Sequence, residues 1–516
     1  MKRRPVKLVV RGSLAALAIT ALILASGDSL KAFRAYEFEG SLVVWPGAQS
    51  DRYLSPTTFP YDSLAETLVL ESMGLWNIVP GAGFEYSAYR LDQDYVIDHT
   101  DRYNDTAAVP ANQLDPGILG VTYLVNVGAA WFDMDVLFSD NPLGAGFTLD
   151  TNPDCATVTN PLPDTGFSFL LVATHEMGHA LGLAHDPVGN EPAGTPWFIA
   201  TMNPLYPSGG PVGQENIVEV HTDDRAGIRY LYPAGDPPFS DLAVASYTAG
   251  SQIGAAVPLG VGPPSLAPGE ELLVDSVIEN FGTTDEPGAR QGFYLSADEV
   301  IDTGDELIGF LLWDIVANDA LLFGVAIDLP DVPAGAYYVG SILDDLNEVA
   351  EVYEDNNAVV HCETITVEQL APAIVPIPPL TAGCGGEFTG PTPAVTHPRN
   401  MGPVTWGLVN APAGLTIDPG TGAMHWPAPL PAESAYDVTV TASNAAGSTA
   451  TLVQLEVISG DMNGDAQIDI RDHPGFASCL GGPGAAVNSI CVCVDMDFDG
   501  DVDLDDVARF QSLVGN

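Results

Sequence analysis

His175-Glu176-Met177-Gly178-His179-Ala180-Leu181-Gly182-Leu183-Ala184-His185-Asp186 sets three imidazoles and a carboxylate at spacings that make chemical sense around a metal ion. On a helix, His175 and His179 leave the same face one turn apart, because residues four apart are neighbours. Their neutral nitrogens can take two corners of a tetrahedral zinc. Glu176 stands beside the first ligand, placed to act on water as a general base. Gly182 is expected to end the helix, since glycine enters a left-handed conformation without a Cβ clash. The reversed chain then returns His185 as a third ligand. The competing reading, a helix with surface histidines, does not account for these offsets.

Outward from this stretch, Phe167, Leu170, Leu171, Thr174 and Met177 supply the helix's inner face. Upstream, residues 36–60 read as a first strand, at Tyr36 to Trp45, and a loop. Asp62 or Ser63 can cap a helix running to about Val79, with Leu64, Leu68, Met73, Leu75 and Trp76 on its buried side. Strands are predicted at 120–126 and 131–138. Asp133 and Asp135 alternate with apolar residues and read as solvated strand positions rather than a calcium site. His99 and His221 lie in polar segments and read as ordinary polar residues. Helix, strands and metal-binding helix together make an α+β domain ending near Pro233.

His175 to His185 matches the H-E-x-x-H-x-x-G-x-x-H signature, and the region resembles the metzincin clan of zinc proteases, in its matrixin-like branch. Ala200-Thr201-Met202-Asn203-Pro204-Leu205-Tyr206 resembles that family's Met-turn, and Asp223 to Tyr232 its closing helix. The resemblance implies zinc on His175, His179 and His185, Glu176 as catalytic acid/base, and Met202 packed beneath the metal. Asp186 departs from the serine often found after the third histidine. No cysteine precedes the domain, so latency through a propeptide thiolate is not expected.

Pro233 to Pro238 reads as a linker. The text from Asp241 to about Val367 is all strand and turn, and resembles a bacterial cell-adhesion-related Ig-like domain. Its Asn347 to Asn357 segment is the strongest part of the match. There Asp344, Asp345, Glu348, Glu351, Glu354 and Asp355 read as a solvated acidic edge rather than a calcium site. Residues 370–458 resemble Ig domains repeated in bacterial surface proteins. In the tail, Asp461, Asn463, Asp465, Gln467, Asp469 and Asp472 place oxygen ligands for calcium, and Asp495, Asp497, Asp499, Asp501, Asp503 and Asp506 repeat the pattern. Position 12 is Asp rather than Glu, which resembles dockerin-type repeats. Ala466 replaces the turn glycine in the first loop, so weaker binding is expected there.

The whole then reads as multidomain: an export signal at 1–27, a matrixin-like α+β domain at 36–235, all-β Ig-like sandwiches at 239–368 and 370–459, and a small α-helical dockerin-like, EF-hand-like module at 460–516. The 68 acidic against 16 basic side chains give a formal net charge of −52, which repels nucleic acid and anionic membranes. Six cysteines suit an oxidising compartment: Cys362 and Cys384 can pair, and one bridge among Cys479, Cys491 and Cys493 leaves a thiol over. A secreted zinc endopeptidase acting on protein or peptide is expected, with no membrane span in the mature chain. Its tail would meet a cohesin-like or cell-surface partner. The alternatives are a calcium-binding adhesive protein with an inactive metzincin domain, and a component of a polysaccharide-degrading assembly.

Overall fold

A computed structural model describes residues 19–20, 33–90, 101–141, 146–148, 167–185, 197–198, 201–202, 220–245, 247–248, 256–257, 259–361, 363–462, 467–489 and 491–514. Apart from Ile19–Thr20, the stretch read as an export signal lies outside them, as do His99, Cys155, Asp186, Cys362, Asn463 and Asp465. Among the described residues, no helix is long and apolar enough to cross a membrane. The chain is mostly β and divides into two compact units, one from 1–266, 270–329 and 336–366, the other from 267–269, 330–335 and 367–516.

The first unit begins with a mixed sheet. Strands β1 (Gln49–Leu54), β2 (Glu85–Arg90), β3 (Asn104–Val109), β4 (Gly120–Val127) and β5 (Ala130–Ser139) lie in the order β2-β1-β3-β5-β4. All neighbours are parallel except β4, which runs antiparallel to β5 along one edge. The expected first strand at Tyr36 to Trp45 is instead a two-residue hairpin, Glu37–Phe38 against Ser41–Leu42. Glu39 and Gly40 both take positive φ there, which turns the chain before a strand can extend. Asp133 and Asp135, expected in solvent, are buried on β5. They face the Asp105 and Arg52 neighbourhood of the adjoining strands: Asp135 accepts from Asp105 N at 2.9 Å, and Asp133 from Arg102 N at 3.1 Å.

Helix α1 (Leu64–Asn77) is capped by Ser63, whose side chain accepts from Glu66 N. Glu66 reaches back to Asp62 N at 2.8 Å, so two first-turn donors are satisfied. Its inner face is Leu68, Val69, Met73 and Trp76; Leu64 sits at the solvent end of the first turn, 47% exposed. Helix α2 (Phe169–Leu181) packs on α1 and carries the histidine motif. It is buried at every position but His175. Side-chain donors from outside the helix hold its carbonyls, among them Trp76 Nε1 on Thr174 O (2.9 Å), Thr122 Oγ1 on Glu176 O (3.1 Å), Tyr86 OH on Met177 O, Trp45 Nε1 on Ala180 O (2.8 Å) and Tyr232 OH on Leu181 O (2.6 Å). Ala180 and Leu181 lie in the last turn, where carbonyls lack helical partners. Helix α3 (Thr222–Leu231) closes this region at the place expected.

The same unit continues into a β-sandwich. One sheet holds β6 (Leu242–Ala245), β7 (Glu271–Asn280) and β10 (Ala320–Asp328), and the other β8 (Glu286–Ser296), β9 (Glu306–Ile315) and β11 (Gly335–Leu343). On β7 the even-numbered residues face the sandwich core throughout. The odd face is exposed at 271, 273 and 275 but buried at Val277 and Glu279, so something covers it there. The expected acidic edge is partly internal. Asp344 is buried and accepts from Glu348 N (3.0 Å) and Val349 N (2.8 Å), and Asp345 is buried and accepts from Tyr294 OH. These carboxylates brace a turn, while Glu348, Glu354 and Asp355 remain exposed.

In the second unit, β12 (Leu380–Gly383), β13 (Thr405–Val409), β15 (Tyr436–Ser443) and β16 (Ser448–Ile458) form a sheet in the order β12-β16-β15-β13. It is faced by a smaller sheet around β14 (Met424–Trp426), with Trp406, Trp426, Val440 and Val453 buried. The tail adds α4 (His473–Ser478) and α5 (Leu504–Leu513). Cys479 pairs with Cys491, while Cys384 pairs with Cys493 rather than with Cys362. Cys493 is thus no spare thiol: it ties the tail to the sandwich, a closure across 109 residues that sequence spacing does not reveal.

Candidate metal centre

The three histidines come together as their spacing implies. His175 and His179 project from α2, which Gly182 stops by taking φ +118°. The reversed chain pairs Leu183–Ala184 with Arg34–Ala35 and brings His185 across. Ring centroids are then 4.8 Å (175–179), 5.2 Å (175–185) and 4.6 Å (179–185) apart. One nitrogen from each ring lies within 4.8 Å of the others. His175 Nδ1 donates to Thr201 O and His179 Nδ1 to Leu183 O, both at 2.8 Å. Those bonds fix the tautomer and leave Nε2 of each ring with its lone pair free. Burial pushes His175 down to about 4 and His179 well below the usual imidazole range, so both rings are neutral at pH 7. Three imidazoles, two of them anchored on backbone carbonyls, are a donor set that fits zinc.

Glu176 lies on the same helix with its carboxylate aimed at β4. Thr122 Oγ1 donates to Oε2 at 2.7 Å. Gly120 makes the room, since a Cβ there would stand 2.7 Å from Glu176 Cγ. Burial raises the Glu176 carboxyl to about 7, with the Thr122 hydrogen bond pulling the other way. Tyr36 stands close enough for that carboxylate to raise its hydroxyl's pKa, after the larger effect of burial. Met202 is buried beside Gly178, and its N donates to Asp224 Oδ2 at 3.2 Å. Sequence reading missed Gly120, Thr122, Tyr36, Thr201 and Asp224. Thr201 and Asp224 lie within the Met-turn and closing-helix segments without being singled out there, and Gly120, Thr122 and Tyr36 reach the site only through the register of β4 and the packing around α2. His221, read as ordinary, is 1% exposed; its backbone N donates to Thr201 Oγ1 and its Nδ1 to Glu279 Oε1.

The tail carries a second cluster. Asp495, Asp497 and Asp499 present oxygens within 4.8 Å of one another, as do Asp501, Asp503 and Asp506. Gly500 takes φ +93° at the turn and donates to Asp495 Oδ2 at 3.1 Å. Buried oxygens of Asp495, Asp497 and Asp501 have no hydrogen-bond partner. A row of unneutralised carboxylates with orphaned oxygens is a donor set that fits calcium. Asp506 accepts from Met496 N (2.6 Å) and Asp503 N (2.9 Å). Asp472 accepts from Met462 N (2.9 Å) and Asp469 N (2.8 Å), the same positions of the first repeat. Of that first loop, Asp461 and Asp472 are buried, Gln467 is exposed, and Asp469 is engaged by Arg471 at 2.6 Å.

Residues 89–233 match the family model described as Matrixin, and residues 371–458 that described as Putative Ig domain. Matrix metalloproteinase-9 of Canis lupus familiaris is 39% identical over 93 residues, 16% of this chain and 11% of that protein. Matrix metalloproteinase-25 of Mus musculus is 39% identical over 69 residues, 13% of this chain and 9% of that one. The chain thus spans about a tenth of the length of the curated relatives it matches. Among solved structures, a CARDB domain from Pyrococcus furiosus matches 25% of this chain and 90% of its own at 15% identity and TM-score 0.18. Extracellular domains 3–5 of Drosophila OTK match 37% of this chain and 61% of theirs at 12% identity and TM-score 0.24. Scores this low carry no argument about function.

Proposed function

We propose that this chain is a secreted zinc metalloendopeptidase of the metzincin type, whose α+β catalytic domain would hold zinc on His175, His179 and His185. The observation that carries the reading is the pairing of neutral, Nδ1-anchored imidazoles with a buried carboxylate on one helix. The matrixin match over the same residues supports it. A zinc ion there would supply Lewis-acid polarisation of the scissile carbonyl and a water acidified toward neutral pH. Glu176 takes a proton from the attacking water at Oε1, the oxygen Thr122 leaves free, and hands it to the departing amine. A peptide would lie extended along β4, which pairs only with β5 among the described residues and whose Thr122 already touches Glu176.

Calcium in the tail would use Asp495, Asp497, Asp499, Asp501, Asp503 and Asp506, with the first loop weaker. The matching roles of Asp472 and Asp506 support a duplicated, dockerin-like module. A groove between α4 and α5, lined by Ile470, Phe476, Leu480, Val507 and Phe510, suits a cohesin-like or cell-surface partner. Ig-like domains suit a surface or extracellular setting. An inactive, adhesive protein is the rival reading; the intact ligand set and its anchoring carbonyls weigh against it. A peptide-library digest by the full chain separates them: cleavage should vanish with a zinc chelator and return with zinc.

A further inference from the structure

The first Ig-like sandwich holds the protease region through Glu279. This β7 side chain is fully buried on the face that an isolated sandwich would leave to solvent. Its Oε1 accepts from His221 Nδ1 at 2.8 Å, and its Oε2 from Thr222 N at 2.8 Å and from the Thr222 hydroxyl. A buried carboxylate is tolerable only when so bonded. Helix α3 gains as much as it gives. Its N-cap residue, His221, offers no side-chain acceptor to the first turn. Glu279 supplies that acceptor, with the negative charge that a helix N-terminus favours.

From there the bonds run to the metal centre. His221 N donates to Thr201 Oγ1 at 3.1 Å, and Thr201 O accepts from His175 Nδ1 at 2.8 Å. Asp224, in the same first turn of α3, holds Met202 N. The Thr201–Met202 turn is therefore set by two contacts from α3, and the start of α3 is set by Glu279. Arg225 adds to the contact, with its guanidinium 3.8 Å from the Phe281 ring centroid and 3.5 Å from Asp241 Oδ2.

We infer that Glu279 is a positioning residue for the zinc site, so that the first Ig-like domain is a working part of the catalytic unit rather than a spacer. The inference rests on the zinc reading above, but its test does not use cleavage. The readout is the rate at which the zinc-loaded full chain gives up its metal to a chromophoric chelator, with the visible spectrum of the cobalt-substituted chain as a check on ligand geometry. Partners of metal ligands alter affinity by about 10–100-fold. Glu279→Ala should release zinc about tenfold faster and shift the cobalt spectrum. Val325→Ala, which trims the same sandwich's core away from Glu279, should do neither. If Glu279→Ala does not fold, Glu279→Gln and Thr201→Val carry the test, the latter removing only the hydroxyl that receives His221 N. Wild-type release from the Glu279 variants, or equal acceleration by Val325→Ala, overturns the inference. A wild-type chain that takes up no zinc at all overturns the protease reading instead.

Discussion

Met202 occupies the space that a side chain on Gly178 would need: a Cβ there would lie 2.2 Å from Met202 Sδ and 2.7 Å from Trp76 Cζ2. The glycine inside α2 is therefore a packing requirement, with the methionine beside it as its counterpart. Overpacking of this kind costs about 1–3 kcal/mol. Gly178→Ala should lower the urea midpoint accordingly, and Met202→Ala should cost about 2–5 kcal/mol by leaving a cavity. The double variant should be less destabilised than the sum, because the alanine grows into the vacated space. Strict additivity would show that the two do not compete for room.

Among the described residues, Thr122 is the side chain that donates to the Glu176 carboxylate, at 2.7 Å. Bonds to charged groups contribute about 1.5–3 kcal/mol, and this one engages Oε2, leaving Oε1 for the proton transfer proposed above. Thr122→Val should lower kcat by about 10–100-fold with KM little changed and zinc content unaltered. A selective rise in KM would instead make Thr122 a substrate contact.

Asp105 and Asp133 are buried on adjoining parallel strands, where burial raises their carboxyls to about 7 and about 6. A folded pKa above the unfolded value means that the folded state binds more protons between about pH 4 and 7. Stability should fall as pH rises through that window. The effect should be on the order of 2 kcal/mol, discounted for partial solvation. Asp105→Asn should flatten the dependence of the urea midpoint between pH 5.5 and 8. An unchanged slope would mean that Arg52, buried beside them, already neutralises the pair.

Much of this was legible in the chain. The helix of the histidines, its glycine stop and the capped α1 follow from spacing and local chemistry that act within a few residues. The repeat of acidic positions in the tail was legible for the same reason, and it extends past the loops themselves. Phe476 and Phe510, each four residues past the last Asp of its loop, meet with centroids 4.6 Å apart. What could not be read depends on distant partners. Asp133 and Asp135 alternate with apolar residues as solvated side chains would, yet neighbouring strands cover them. Glu279 sits on the outward face of β7 and is buried only because α3 comes to lie there. The Cys384–Cys493 bridge joins segments 109 residues apart.

Calcium should bind the tail in two classes. Asp469 of the first loop is already engaged by Arg471, whereas Asp495, Asp497 and Asp501 keep unpartnered oxygens. Calorimetric titration of the full chain should show the second loop tighter by about tenfold, within the broad range of such loops. Asp495→Ala should abolish the tight class and Asp461→Ala should spare it. One class lost equally to either variant would show a single shared site.

The most direct measurement compares zinc content and peptide cleavage in wild type and Glu176→Gln, side by side. The variant keeps all three imidazoles and loses only the proton acceptor. It should retain one zinc per chain, while cleavage falls by about 10²–10⁴-fold. A zinc-loaded Glu176→Gln chain that cuts peptide at the wild-type rate would contradict the account.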